Sequence, residues 1–244
     1  MINLLTIVSI TKDDLEGIRR TIASTKNLRE VGWVSQIIVD SSSEAIYTKV
    51  CELEKESNLT ILHHPEPGIS VAFNIGWQNS NSVWIWFLNG GDEAHPLINL
   101  DFLKSLLQST QSEAIIFELE IMTNGVVTQR PSLWNLWPPL NNWIPHPSTL
   151  MRRETLARAN GFDPQYKVAM DYDMWIRVFG LDVKVDLISI PLACYEGNGI
   201  SSDFRNTAPE TTKIIKNHLK LLFKRWLQQG YIIPYMWYFF KQKT

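Results

Sequence analysis

Between Leu4 and Asn89 the chain alternates apolar, β-branched runs with segments of helical apolar spacing, and few folds accept that alternation. "LLTIVSI", "SQIIVD", "LTILHH" and "SVWIWFLN" are short and apolar almost throughout, the pattern of strands buried on both faces. Between them, "DDLEGIRRTIAST", "SEAIYTKVCELEKE" and "SVAFNIGWQNS" carry apolar residues three and four apart, with Asp13 or Asp14 placed to cap the first helix. The order β-α-β-α-β-α-β calls for a mostly parallel α/β sheet with helices on both faces. Ligands of such sheets bind beyond the carboxyl ends of the strands. Ser9–Lys12, Asp40–Ser43 and Asn89–Asp92 are therefore the segments to watch.

The rhythm changes after "INLDFLKSLLQST", a further helix. "EAIIFELEIMTNGVVTQ" reads as two strands around a Thr-Asn-Gly turn, a small antiparallel element. A loop rich in Trp and Pro follows through Ser148. Then come a helix in "RRETLARANG" that stops at Gly161, a second in "DYDMWIRVFG", and late strands in "VKVDLISIPLACYEG". The expected division is a domain over residues 1–205, with a nucleotide-binding half to about residue 110 and an acceptor half over 111–205, and a tail over 206–244.

Composition narrows the class. The formal net charge of −2 gives no electrostatic case for nucleic acid. The two cysteines, Cys51 and Cys194, lie far apart without CxxC spacing and read as reduced thiols of a cytoplasmic protein rather than zinc ligands. The opening "MINLLTIVSITKDD" lacks the basic start and small-residue cleavage site of a signal peptide, and no run is long enough to span a bilayer.

Several residues carry chemistry or a plainer role. Asp40, at a strand end before three serines, suits a ribose or base edge, yet a helix N-cap asks for the same placement. Asn89 and Asp92 flank Gly90 and Gly91, which permit close backbone approach; Asp92 can give one carboxylate to a phosphate-bound magnesium or manganese, or simply cap a tight turn. His146 follows the Pro-rich loop, and a lone histidine is more often structural than catalytic. Arg152 can hold a diphosphate in bidentate fashion or stay solvated. Asp171 and Asp173 open a helix, where the dipole alone favours acids. Asp173 stands four residues before Arg177 and can pair with it, which leaves Asp171 for proton transfer.

"LTIVSITKDDLEGIRRTIAST", "IIVDSSS", "EPGISVAFNIGW", "FLNGGD", "HPSTLMRRE" and "DYDMWIRV", in this order, resemble family 2 glycosyltransferases of the GT-A fold, nearest the bacterial colanic-acid and exopolysaccharide type. The resemblance covers roughly Leu4 to Gly199. It implies a Rossmann-like GT-A domain and inverting transfer of a sugar from a UDP-, GDP- or TDP-sugar to a hydroxyl of a glycan or lipid-linked acceptor in surface-glycan synthesis. By the same resemblance Asp40 contacts the nucleoside, Gly68 to Asn74 match the nucleotide-binding stretch, and Asp171 matches the general base. A divalent metal, Mn2+ or Mg2+, neutralises the leaving diphosphate. The chain departs from the family where most members carry Asp-x-Asp-Asp: here Asn89, Gly90, Gly91 and Asp92 stand, and Asp92 holds the metal alone. "VDSSSEA" likewise replaces the commoner Asp-Gly-Ser-Thr-Asp run.

Two other classes compete. A sugar-nucleotide-binding scaffold that has lost catalysis is the first, and its motive is the thinned acid loop. A dinucleotide oxidoreductase is the second, but it needs a Gly-x-Gly-x-x-Gly turn after the first strand, and "SITKDD" has no glycine. In the tail, "TKIIKNHLKLLFKRWLQQG" sets Lys213, Lys216, Lys220 and Lys224 on one helical face, with "YIIPYMWYFFKQK" following. It suits peripheral contact with the inner face of a membrane, a homodimer, or packing on the domain.

Overall fold

The computed structural model describes residues 3–55, 58–66, 68–123, 126–129, 144–196 and 204–228. Four parallel strands, β1 (Leu5–Thr11), β2 (Val34–Asp40), β3 (Leu59–His63) and β4 (Trp84–Phe87), lie in the order β3-β2-β1-β4. Their apolar runs divide residue by residue between the two faces of the sheet. Leu5, Ile7, Trp84 and Trp86 enter one core, and Val8, Ile85 and Phe87 enter the other. Helices α1 (Leu15–Ser24), α2 (Lys26–Glu30), α3 (Glu44–Cys51) and α4 (Ile69–Gln78) make the crossovers. Asp14 caps α1 by accepting the Gly17 N–H at 2.8 Å.

The remaining strands widen the sheet. They are β5 (Glu93–Ala94), β6 (Ala114–Thr123), β7 (Val126–Gln129), β8 (Thr149–Arg152) and β9 (Val185–Glu196), and the full order is β3-β2-β1-β4-β8-β6-β9-β5 with β7 beside β6. β8 is antiparallel to β4 and β6 to β8, while β9 is parallel to β6. The two strands read around Thr-Asn-Gly are β6 and β7, antiparallel as expected, although Asn124 and Gly125 lie outside the described residues. So do 131–143 of the Trp- and Pro-rich segment and 229–244 of the tail.

One expectation is corrected. Arg152, read as the first residue of the "RRETLARANG" helix, ends a strand instead: Thr149–Arg152 is central in the sheet, with Leu150 facing one core and Met151 the other. The helix itself, α6 (Arg153–Arg158), is shorter than read, and the chain leaves it through Gly161 at φ +59°. Helices α5 (Leu100–Ser109), α7 (Met170–Gly180) and α8 (Phe204–Gln228) complete the fold. α8 docks on α7, with Ile214 and Leu222 buried and Leu221 against Gly180.

Gly76 marks where α4 meets the sheet: a Cβ there would lie 2.2 Å from Val8 Cγ1 on β1. Val8 is fully buried and has nowhere to move. Gly76→Ala should lower stability by about 1–3 kcal/mol, the usual cost of overpacking, seen as an earlier urea midpoint with an unchanged slope.

Candidate active site

The loops after β1, β2 and β4 meet at the carboxyl edge of the sheet. Thr11 O accepts the Ser41 N–H at 2.9 Å, and Ile10 O accepts the Gly90 N–H at 2.9 Å. The β1 and β2 loops are further tied together. Asp13, at φ +53°, donates its N–H to Ser42 Oγ at 2.7 Å and accepts the Ser43 N–H at 3.1 Å. Asp40 ends β2 fully buried. Its Oδ1 accepts the Ser42 N–H at 2.7 Å, and its Oδ2 has no hydrogen-bond donor among the described residues. A buried carboxylate oxygen without a donor is costly, so this is a place for an N–H or O–H to bind.

The Asn89–Asp92 loop is held by a residue that sequence reasoning passed over. Thr21, mid-helix in α1 and fully buried, accepts the Gly91 N–H at 3.0 Å and donates to Asp92 O at 2.7 Å. Nothing in a helical threonine signals such a contact. Asp92 is 4% exposed, and Asn89 Oδ1 is buried without a donor among the described residues. The loop therefore offers a carboxylate and an amide oxygen, hard donors that fit a magnesium or manganese ion held mainly by phosphate oxygens and water.

Among the described residues, the group of potential ligands whose atoms lie within 4.8 Å of one another is His95, Glu120 and Cys194. Register puts Glu93, Cys194 and Glu120 on one face of β5, β9 and β6. His95 Nδ1 accepts the Leu97 N–H at 3.2 Å, so the ring carries its proton on Nε2, 3.3 Å from Glu120. Burial, then Glu120 and Glu93, push the Cys194 thiol up to about 11. The three offer an imidazole nitrogen, a carboxylate oxygen and a thiol sulfur to an ion, and Asp92 is not among them.

α7 brings Asp171 to the same edge. The chain from Gly161 to Tyr166 climbs along α4 towards its N-terminus, which follows β3. Asn74 bonds both backbone groups of Phe162 at 2.7 and 2.9 Å, and one helical turn further on Ser70 donates to Tyr166 O at 2.7 Å. α7 then starts at that edge, with Asp171 in its first turn, half-buried, one oxygen accepting the Tyr172 N–H at 2.8 Å. Asp173 is the buried acid of the two, and it bonds Arg177 at 2.6 Å and His218 of α8 at 2.7 Å.

Two of the expected binding residues are occupied otherwise. Asn74 spends its amide on Phe162 and takes the Trp77 Nε1–H at 2.9 Å, so it is a clamp between α4 and the segment after α6. Arg152 is paired with Trp84, at the opposite end of β4 from the loop. Its guanidinium donates to Ser112 O and Thr110 O at 2.9 and 2.8 Å and lies 4.7 Å from the Trp84 ring centroid. Arg152 thus lies at the other end of β4 from Asp92, and Gly68 is the N-cap of α4.

Residues 6–158 match the model of the family described as glycosyl transferase family 2. The chain belongs to glycosyl transferase family 2. Among curated family relatives, it is similar to the uncharacterized glycosyltransferase Rv1514c of Mycobacterium tuberculosis strain H37Rv and to its counterpart MT1564 of strain CDC 1551. Each is 22% identical over 180 residues, covering 71% of this chain and 68% of the relative. Among solved structures it is similar to S. aureus TarS (TM-score 0.68, 13% identity, 88% of this chain but 39% of TarS). It is also similar to the mannosyltransferase PcManGT of Pyrobaculum calidifontis in complex with GDP-Man and Mn2+ (TM-score 0.60, 14% identity, 83% of this chain and 59% of that one). These likenesses show the GT-A-like fold of the family; they assign no substrate.

Behind the family site lies a buried imidazole. His146 stacks on Phe87 with centroids 5.3 Å apart and meets Phe73, Phe162 and Trp175 edge-on at 5.6, 5.7 and 6.3 Å. Burial pushes its pKa down to about 3, so it is neutral in the fold wherever an exposed histidine would begin to charge. Between pH 6.5 and 3 the unfolded chain binds the extra proton, so stability falls as pH falls through that window. His146→Phe should remove this component, worth about 2 kcal/mol at pH 5 relative to pH 7. Urea unfolding at both pH values checks it: the acid loss should be smaller in the variant by that amount.

Proposed function

We propose that the chain transfers a sugar, with inversion, from a nucleoside diphosphate sugar to an acceptor hydroxyl in the building of a surface glycan. What supports this reading is family 2 membership together with three acids: Asp40 at the end of β2, Asp92 in the loop after β4 and Asp171 in the first turn of α7. In this reading Asp40 Oδ2 takes an N–H of the base or a ribose hydroxyl. Gly68 keeps the entry to α4 clear for the nucleotide, and Asn89 and Asp92 face the diphosphate. Asp171 accepts the acceptor's proton; the oxygen so freed bonds to the anomeric carbon as the bond from that carbon to the diphosphate oxygen breaks. A divalent cation at Asp92 and Asn89, when bound, supplies neutralisation of the departing charge. Solved structures similar to this chain, in complex with UDP, with UDP-GlcNAc, and with GDP-Man and Mn2+, support the donor class.

A scaffold that binds sugar nucleotides without turnover is favoured by one observation, the single acid of the Asn-Gly-Gly-Asp loop. Calorimetric titration with UDP, GDP and TDP, each with manganese and with EDTA, is the first test. Manganese-dependent binding of one nucleotide is expected, and its loss in Asp92→Ala. Equal binding in manganese and EDTA would remove the metal from Asp92.

Asp171→Asn should leave that binding intact and lower turnover roughly 10²–10⁴-fold, the usual worth of a general base. Near-normal turnover in the variant would take the base role from Asp171. Binding without any turnover in the parent chain would favour the scaffold.

A further inference from the structure

We propose that the exposed face of α8 seats the protein on an anionic bilayer. The charge of the chain is strongly divided. Residues 211–244 hold seven Lys and Arg and no Asp or Glu, so the other 16 basic and 25 acidic residues leave residues 1–210 at −9. A near-neutral total conceals a cationic end of +7.

The fold decides which side of that end is available. α8 turns Ile214, Leu222, Asn217 and His218 towards α7 and the segment before it. The side turned away carries exposed Lys216 and Lys220, and Leu219 at 55% exposure. Lys213, at the border, lies 5.4 Å from the Tyr166 ring centroid. Lysines flanking an uncovered leucine on one helical face match an interfacial helix, whose apolar residue enters the acyl boundary while the cations meet lipid phosphates. Charge alone or one apolar residue alone binds membranes weakly, and stable docking takes both. Among the described residues no helix is long and apolar enough to cross a membrane.

The seating has a consequence for the site. Glu210 of α8 accepts the backbone N–H groups of Lys167, Val168 and Ala169 at 2.8, 2.9 and 2.8 Å, just before α7 and Asp171. A bilayer that holds α8 thus holds the Asp171 edge of the sheet close to the lipid surface. That suits a lipid-borne acceptor, and this last step alone rests on the transfer reading.

The test is flotation of the full chain with vesicles, without donor or acceptor, so that it stands whether or not Asp171 is a base. Vesicles of phosphatidylcholine alone are compared with vesicles holding about one third phosphatidylglycerol. Binding to the anionic vesicles only, weakened by salt, is expected. Lys216→Gln with Lys220→Gln should weaken it about 30-fold, from about 1 kcal/mol for each cation removed. Leu219→Ser should weaken it while the salt dependence stays. Equal binding to both vesicles, no binding, or unchanged binding of the double variant would overturn the proposal. So would a salt-sensitive dimer, in sedimentation, that the double variant abolishes while no vesicle is bound.

Discussion

The last two carbonyls of β1 fix the two strand-end loops of the candidate site. β1 is hydrogen-bonded to parallel neighbours on both sides, β2 along its whole length and β4 over its first four residues. Its final carbonyls extend those ladders into loops: Thr11 O takes Ser41, next to Asp40, and Ile10 O takes Gly90, in the loop of Asp92. Two carboxylates on different crossovers are therefore referenced to adjacent residues of one buried strand. A strand packed on both faces moves little, so the separation of the two loops is set by the core rather than by the loops. Thr21 adds a third support from α1, with one hydroxyl serving Gly91 and Asp92 together.

The other half of the site is organised differently. No strand carries Asp171; α7 is positioned by helices. Asn74 of α4 grips Phe162, Ser70 grips Tyr166, and Glu210 of α8 closes the three N–H groups ahead of the helix. Asp173 reaches across to His218 and along to Arg177 from a position 2% exposed. The hydrogen bond to His218 ties α8 to α7 at this point, and removing the imidazole would leave a buried carboxylate oxygen short of a partner. The placement of α7 is thus coupled to a segment well beyond the residues that match the family model, which end at 158.

What could be read from the sequence follows from how local each signal is. The strands and helices through β4 were legible because each apolar run is short, continuous and bounded, and the acids at the ends of β2 and β4 followed from topology. The pairing of Asp173 with Arg177 needed only helical spacing. β8 was not legible: "TLMR" is four residues long, runs straight into a helix, and is a strand only because β4 and β6 flank it. Arg152 was misplaced for the same reason, since nothing local tells which end of an unrecognised strand it occupies. Asn74 has the spacing of a nucleotide contact, but its partner, Phe162, is 88 residues away. Thr21 and Glu210 act through contacts of equally long range, on which a single sequence carries no information.

The Asn-Gly-Gly-Asp loop looks like erosion in the sequence and like construction in the fold. A Cβ at residue 90 would sit 3.1 Å from Ile10 O and 3.3 Å from Thr11, closer than side chains ordinarily approach. Gly91 has φ +100°, where a residue with a Cβ is strained. An acid at residue 91 would therefore work against the turn that lets Gly90 dock on β1 and Gly91 on Thr21. In this path the chain has exchanged a carboxylate for a tight, doubly anchored turn that keeps Asn89 and Asp92 at its two ends. The loop is thus built around one carboxylate and one amide oxygen. A cation seated there would take one carboxylate and one amide oxygen from the loop and its remaining ligands from outside it.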